Sequence, residues 1–303
     1  MTEARRAVVQ AGGYRVFVEH HPRPEPGRGT ILFVNGAVAT TTALRWAVKS
    51  LTDFDLVLFD FPHFGASATH NLGAPGLDKE AEARVLLDLI EQFQPDYLIS
   101  QSWGGTAALL ALTQRPACVR RAIIACYSAG MSAPMRALAD ELMELIARGE
   151  NIEAARLTMT TLGERLPPVS RKLQERYFLR FGAAESHQIA AQIGYVASLA
   201  FAQDAPRMAA IDIPVLIANG ERDRFTPPAR ARPLVRFLPT ARLATIPAAG
   251  HFLAMESEAA CEAVCGTIRG FFGEEARAAG HSHRSGIAFG YRHTPGFPRA
   301  ERS

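Results

Sequence analysis

The chain has 303 residues, 48% of them hydrophobic, enough to bury the core of one large α/β domain with or without a small insertion. A formal net charge of +3, with no basic run interleaved with aromatics, excludes a nucleic-acid-binding surface. The first twenty residues carry charges at Glu3, Arg5, Arg6 and Arg15 with no apolar stretch long enough for a secretory leader, and no later stretch of about eighteen uncharged apolar residues could span a bilayer, so a cytoplasmic protein without leader or membrane span is expected.

Ala7 to Gln10 and Tyr14 to His20 are β-rich runs around Gly12-Gly13, which predicts a hairpin at the edge of a mixed sheet. Ile31 to Val34 and Leu56 to Phe59 are uninterrupted apolar runs, as expected of strands buried on both faces, with a helical pattern between them near Thr42 to Leu51. The alternation continues with a helix over Lys79 to Phe93, a strand over Tyr97 to Ser100, a helix over Thr106 to Thr113 and a strand over Arg121 to Tyr127. Strands alternating with helices imply a mostly parallel, doubly wound sheet.

The alternation stops at Gly130. From Met135 to about Ala205 the chain reads as helices broken at Pro167-Pro168 and Gly182, an inserted helical cap. Sheet signals resume at Ile213 to Ala218 and Leu243 to Ile246, followed by a last helix from about Ser257 to Phe272. The expected organisation is core 1–130, cap 131–206, core 207–275 and a loosely packed tail 276–303, poor in apolar periodicity. Cys118, Cys126, Cys261 and Cys265 form no Cys-x-x-Cys pair, and His281, His283 and His293 read as solvated tail residues, so no disulfide, metal or cofactor is expected.

Ser100-Gln101-Ser102-Trp103-Gly104-Gly105 lies between an apolar strand and a helix, the setting of a nucleophile elbow with Ser102 at its tip. Small residues two before and two after the serine let strand and helix backbones approach; Ser100 stands where glycine is usual. Taken alone, Ser102 is equally a helix N-cap. Asp223 follows the Ile213 strand, at the end where such sheets gather ligands, and His251 follows the next strand, giving the chain order Ser, Asp, His. The three together predict a catalytic triad, with His251 as general base. The backbone around Gly36 and Ala37, with the N–H of Trp103, is the expected oxyanion hole, and Asn35 could brace that loop or be an ordinary turn residue. Asp60, which also ends a strand, reads as structural, and His63 and His70 as loop residues.

With these residues in view, the chain resembles the RhlA-like family of 3-(3-hydroxyalkanoyloxy)alkanoic acid synthases and the related PhaG-like transacylases, a branch of the α/β-hydrolase fold. The likeness rests on Val34 to Thr41, Val57 to Pro62, Ser102-Trp103-Gly104-Gly105 and Ala249 to Leu253, and covers nearly the whole chain. It implies an acyltransferase acting on an (R)-3-hydroxyacyl thioester delivered by acyl carrier protein. Within the branch one activity joins two such acyl groups into a 3-(3-hydroxyalkanoyloxy)alkanoic acid, the rhamnolipid precursor used by a rhamnosyltransferase downstream. The other moves the acyl group to coenzyme A. The transacylase carries a His-x4-Asp element in its cap; the corresponding stretch here runs Tyr177 to Gly182 without it, which points toward the synthase. Arg224 stands where an acidic residue is usual.

Both activities need an acyl-serine, and synthesis needs water kept out. Met135, Leu138, Leu142, Met143, Leu145 and Ile146 of the cap are candidates for an acyl tunnel, although their spacing equally suits packing on the core. Asn35, Phe252, Leu142 and Met143 are the expected substrate-binding residues. Lys172, Arg176 and Arg180 recur every four residues, a cationic stripe suited to an acidic carrier protein or merely to solvent. A thioesterase or esterase with water as acceptor, and an acyl-binding protein without turnover, are the alternatives.

Overall fold

In the computed structural model, residues 3–23, 27–198 and 206–282 are described. Eight strands form one sheet: β1 (Arg5–Ala11), β2 (Tyr14–His21), β3 (Thr30–Val34), β4 (Asp55–Phe59), β5 (Tyr97–Gln101), β6 (Arg121–Ala125), β7 (Val215–Gly220) and β8 (Ala241–Ile246). Their order is β1-β2-β4-β3-β5-β6-β7-β8, with β2 antiparallel to both its neighbours, β1 and β4, and every other pair parallel. Gly12 and Gly13 both take positive φ, +59° and +85°, which closes the β1–β2 hairpin with Ala11 opposite Tyr14.

Alternate side chains of each central strand enter opposite cores. Leu32, Val57, Leu98, Ile124 and Ile217 pack on one face and Ile31, Leu58, Ile99, Ile123 and Leu216 on the other, which is why these strands read as unbroken apolar runs. The first face is covered by α2 (Lys79–Phe93) and α3 (Gly104–Leu112). The second is covered by α1 (Arg45–Ser50) and by the last helix, whose Ile268 and Phe272 are buried there. Asp78 caps α2 by accepting from Ala81 N–H at 2.7 Å.

Between β6 and β7 stand α4 (Ala133–Ala147), α5 (Asn151–Thr161), α6 (Pro168–Phe178) and α7 (Ala183–Ser198), the inserted cap. Gly149, at φ +72°, turns the backbone between the first two, and Pro167-Pro168 opens the third. After β7 comes the short α8 (Pro228–Ala231), and α9 (Glu258–Ser282) closes the described residues. The last helix runs ten residues beyond the Phe272 end expected from sequence: the Glu- and Ala-rich run after Gly273 sustains it, and Glu274 pairs with Arg121 at 3.2 Å and with Arg242. His283 and His293, with the rest of the expected tail beyond Ser282, lie outside the described residues. No helix among the described residues is long and apolar enough to cross a membrane.

Candidate active site

The turn from β5 into α3 puts Ser102 at φ +50°, a left-handed conformation in which its side chain stands clear of both elements. The packing shows why the flanking residues are small. A Cβ on Gly104 would lie 2.3 Å from the carbonyl oxygen of Asn35, and one on Gly36 3.2 Å from that of Gln101. Ser100 is fully buried in β5, and its hydroxyl has no hydrogen-bond partner among the described residues.

Three segments distant in sequence converge on that serine. His251, on the loop after β8, places Nε2 3.0 Å from Ser102 Oγ and Nδ1 2.8 Å from Asp223 Oδ2, and Asp223 sits after β7. Asp223 and His251 are 2% and 7% exposed. The carboxylate also accepts from Phe225 N–H at 2.8 Å, Thr226 N–H at 2.9 Å and the Thr226 hydroxyl at 2.5 Å. Burial pushes the Asp223 carboxyl up, but the charge and hydrogen bond of His251 and the bonds from Thr226 outweigh it and bring it down to about 2. An ionised Asp223 fixes the imidazole with Nδ1 as donor, which leaves Nε2 to accept from the serine.

Cys126 Sγ lies with Asp223 and His251 in a group whose ligand-type atoms are within 4.8 Å of one another. That cluster suits the hydrogen-bonded row better than a cation. Both ring nitrogens of His251 face the serine and the carboxylate, and Cys126 donates to the His251 carbonyl at 3.1 Å while burial holds its thiol pKa well above the ordinary value.

Gly36, Ala37 and Trp103 all border the same cavity as Ser102. Asn35 is buried and donates its amide to the Phe59 carbonyl at 2.9 Å, so it ties the loop after β3 to the end of β4. The cavity, about 240 Å³, is walled mainly by apolar groups. Met135, Leu138, Leu142 and Ile146, on one face of α4, line it together with Phe252, whereas Met143 and Leu145 do not border it; Met143 falls off that helical stripe, and Leu145 lies at its edge and is buried. Phe252 stands edge-on to the His251 ring at 6.1 Å. Asp60 lies outside the row: its carboxylate accepts from Thr41 N–H at 2.7 Å and Ala66 N–H at 2.8 Å, holding two loops together.

Several supporting residues carry no sequence signal that the motif reading could use. Glu256 accepts from Gly250 N–H at 2.7 Å and Phe252 N–H at 3.0 Å, bracing the backbone on both sides of His251, and pairs with Arg165 of the cap at 3.0 Å. Gln188 exchanges two hydrogen bonds with the backbone of Leu77, and Gln192 donates to buried Glu82, so α7 is pinned to the core by polar contacts.

Residues 31–265 match the model of the alpha/beta hydrolase family. A protein of Pseudomonas putida named (R)-3-hydroxydecanoyl-ACP:CoA transacylase is 35% identical over 261 residues, covering 86% of this sequence and 88% of its own. One of Ectopseudomonas oleovorans with the same name is 35% identical over 276 residues, covering 90% and 92%. Among solved structures, a serine hydrolase from a polyaromatic-hydrocarbon-degrading Cycloclasticus superposes with TM-score 0.73 at 19% identity, over 90% of this protein and 99% of that one. An alpha/beta hydrolase enzyme from a Medee basin deep-sea metagenome superposes with TM-score 0.71 at 20% identity, over 89% and 97%. By fold, strand order and family match, this chain belongs to the alpha/beta hydrolase family.

Proposed function

We propose that the protein is a serine acyltransferase that takes a 3-hydroxyacyl group from acyl carrier protein and passes it to the thiol of coenzyme A. The observation that carries this reading is the Ser102–His251–Asp223 row opening onto an apolar cavity. His251 Nε2 takes the Ser102 proton as Oγ attacks the thioester carbonyl, and the developing oxyanion is held by the N–H groups of Trp103 and Ala37. Collapse expels the carrier thiol, which leaves with the proton from His251, and an acyl-serine remains. The incoming thiol gives its proton to His251, attacks the acyl carbon, and Ser102 recovers the proton as the new thioester departs. An apolar pocket keeps water from intercepting the ester. The names of the relatives support the donor and acceptor.

A second reading has its own support: the Tyr177 to Gly182 stretch carries no His-x4-Asp element, which favours the hydroxyl of a second acyl group as acceptor and rhamnolipid-precursor synthesis. Mass spectrometry of products from purified protein given (R)-3-hydroxydecanoyl acyl carrier protein separates the two. Hydroxyacyl coenzyme A formed only when coenzyme A is added upholds the transacylase. An ester-linked dimer formed without it replaces that reading with the synthase, and free hydroxy acid alone reduces the enzyme to a thioesterase.

A further inference from the structure

The helix α6 has no buried residue, and its two sides differ in kind. Gln174 and Phe178, followed by Phe181, line the cavity. At helical spacing the opposite side carries Val169, Lys172, Leu173 and Arg176, with Arg180 one turn further on. Val169 and Leu173 are 80% and 62% exposed, and with Ile152 and Leu179 they make four of the seven exposed large apolar side chains among the described residues. Lone apolar residues on a surface need no explanation, but four of seven falling in the cap, with Val169 and Leu173 one turn apart on α6 and Leu179 just past its end, mark an interaction site. Lys172, Arg176 and Arg180 are exposed and form no ion pair among the described residues, whereas Arg156, Arg165 and Arg224 nearby all do.

We infer that this outward face of α6 docks the acidic carrier protein that delivers the acyl chain, an inference that rests on the donor proposed above. Three unpaired cations around two exposed apolar side chains complement a partner helix bearing carboxylates and one or two apolar residues. The same helix forms the cavity wall on its other side, so the docked carrier stands one helix away from the site its thioester must reach.

The test replaces Lys172, Arg176 and Arg180 together by Glu and compares turnover of carrier-bound 3-hydroxydecanoyl thioester with that of the same acyl group on pantetheine. KM for the carrier substrate should rise by about tenfold or more, with the pantetheine kinetics unchanged, and added salt should weaken the wild-type carrier reaction alone. Equal kinetics with the carrier substrate overturn the surface and leave the donor standing; a wild-type protein that uses pantetheine but no carrier thioester overturns both. If charge reversal abolishes both reactions, the triple Gln variant decides: a rise in KM confined to the carrier substrate upholds the surface, and parental values overturn it.

Discussion

Asp223 shows how burial and pairing compete at a single residue. Its folded-state pKa, about 2, lies below the ordinary 3.8, so its contribution to stability is complete above that ordinary value and is lost as pH falls toward 2. At neutral pH it is a fixed anion behind His251. Asp223→Asn keeps the shape but removes the charge and permits the wrong imidazole tautomer, so kcat/KM should fall by about 10³- to 10⁴-fold. Steady-state kinetics with an activated ester check this, and a loss under tenfold would remove Asp223 from the row. The three residues of the row were legible because each sits at a strand-to-loop boundary in the order this fold uses. Thr226 and Glu256 were not, since their roles are set by proximity to Asp223 and His251 in space and a hydroxyl or carboxylate in a loop has many uses.

The elbow depends on how closely β5, β3 and α3 approach. Asn35 O at 2.3 Å and Val34 O at 2.9 Å from a Cβ at Gly104 are both backbone atoms at the end of β3, so the nearest contacts cannot yield by a side-chain rotation. Gly104→Ala should cost more than about 2 kcal/mol in urea-induced unfolding, where an ordinary helix Gly→Ala change gains stability. A variant within about 0.5 kcal/mol of the parent, against that expectation, would mean the strand and helix are not packed this tightly. At this scale the sequence was informative wherever a run was apolar on both faces, as in Ile31 to Val34 and Leu56 to Phe59. It was less so where ends depend on partners: α9 outruns Phe272 because Glu274 finds Arg121, a residue of β6. The α4 stripe likewise separates Leu142 from Met143 only once the cavity's direction is known.

Cap and core meet through polar contacts that helical periodicity could not announce. Near one of them, where Tyr177 OH accepts from Gly65 N–H at 2.9 Å, lies buried Asp60. Burial pushes the Asp60 carboxyl up to about 6, only partly offset by the N–H groups of Thr41 and Ala66. Between its ordinary value of 3.8 and about 6 the folded protein holds a proton that the unfolded state has released. Stability from this group therefore declines as pH rises through that window, by about 3 kcal/mol in all. Urea unfolding of the parent and Asp60→Asn from pH 4 to 7 should show the parent losing stability relative to the variant; parallel curves would contradict the account.

The proposed function asks the whole molecule to form and protect an ester on Ser102, and a positive-φ elbow, a buried histidine hydrogen-bonded to the serine and an apolar cavity support that reading. The most direct test is the intact mass of the protein after brief mixing with (R)-3-hydroxydecanoyl thioester and acid quenching, followed by peptide mapping. The account predicts one hydroxydecanoyl adduct on the peptide containing Ser102, absent from Ser102→Ala, whose turnover should fall by at least about 10³-fold. An adduct elsewhere, or parental turnover by Ser102→Ala, would contradict it.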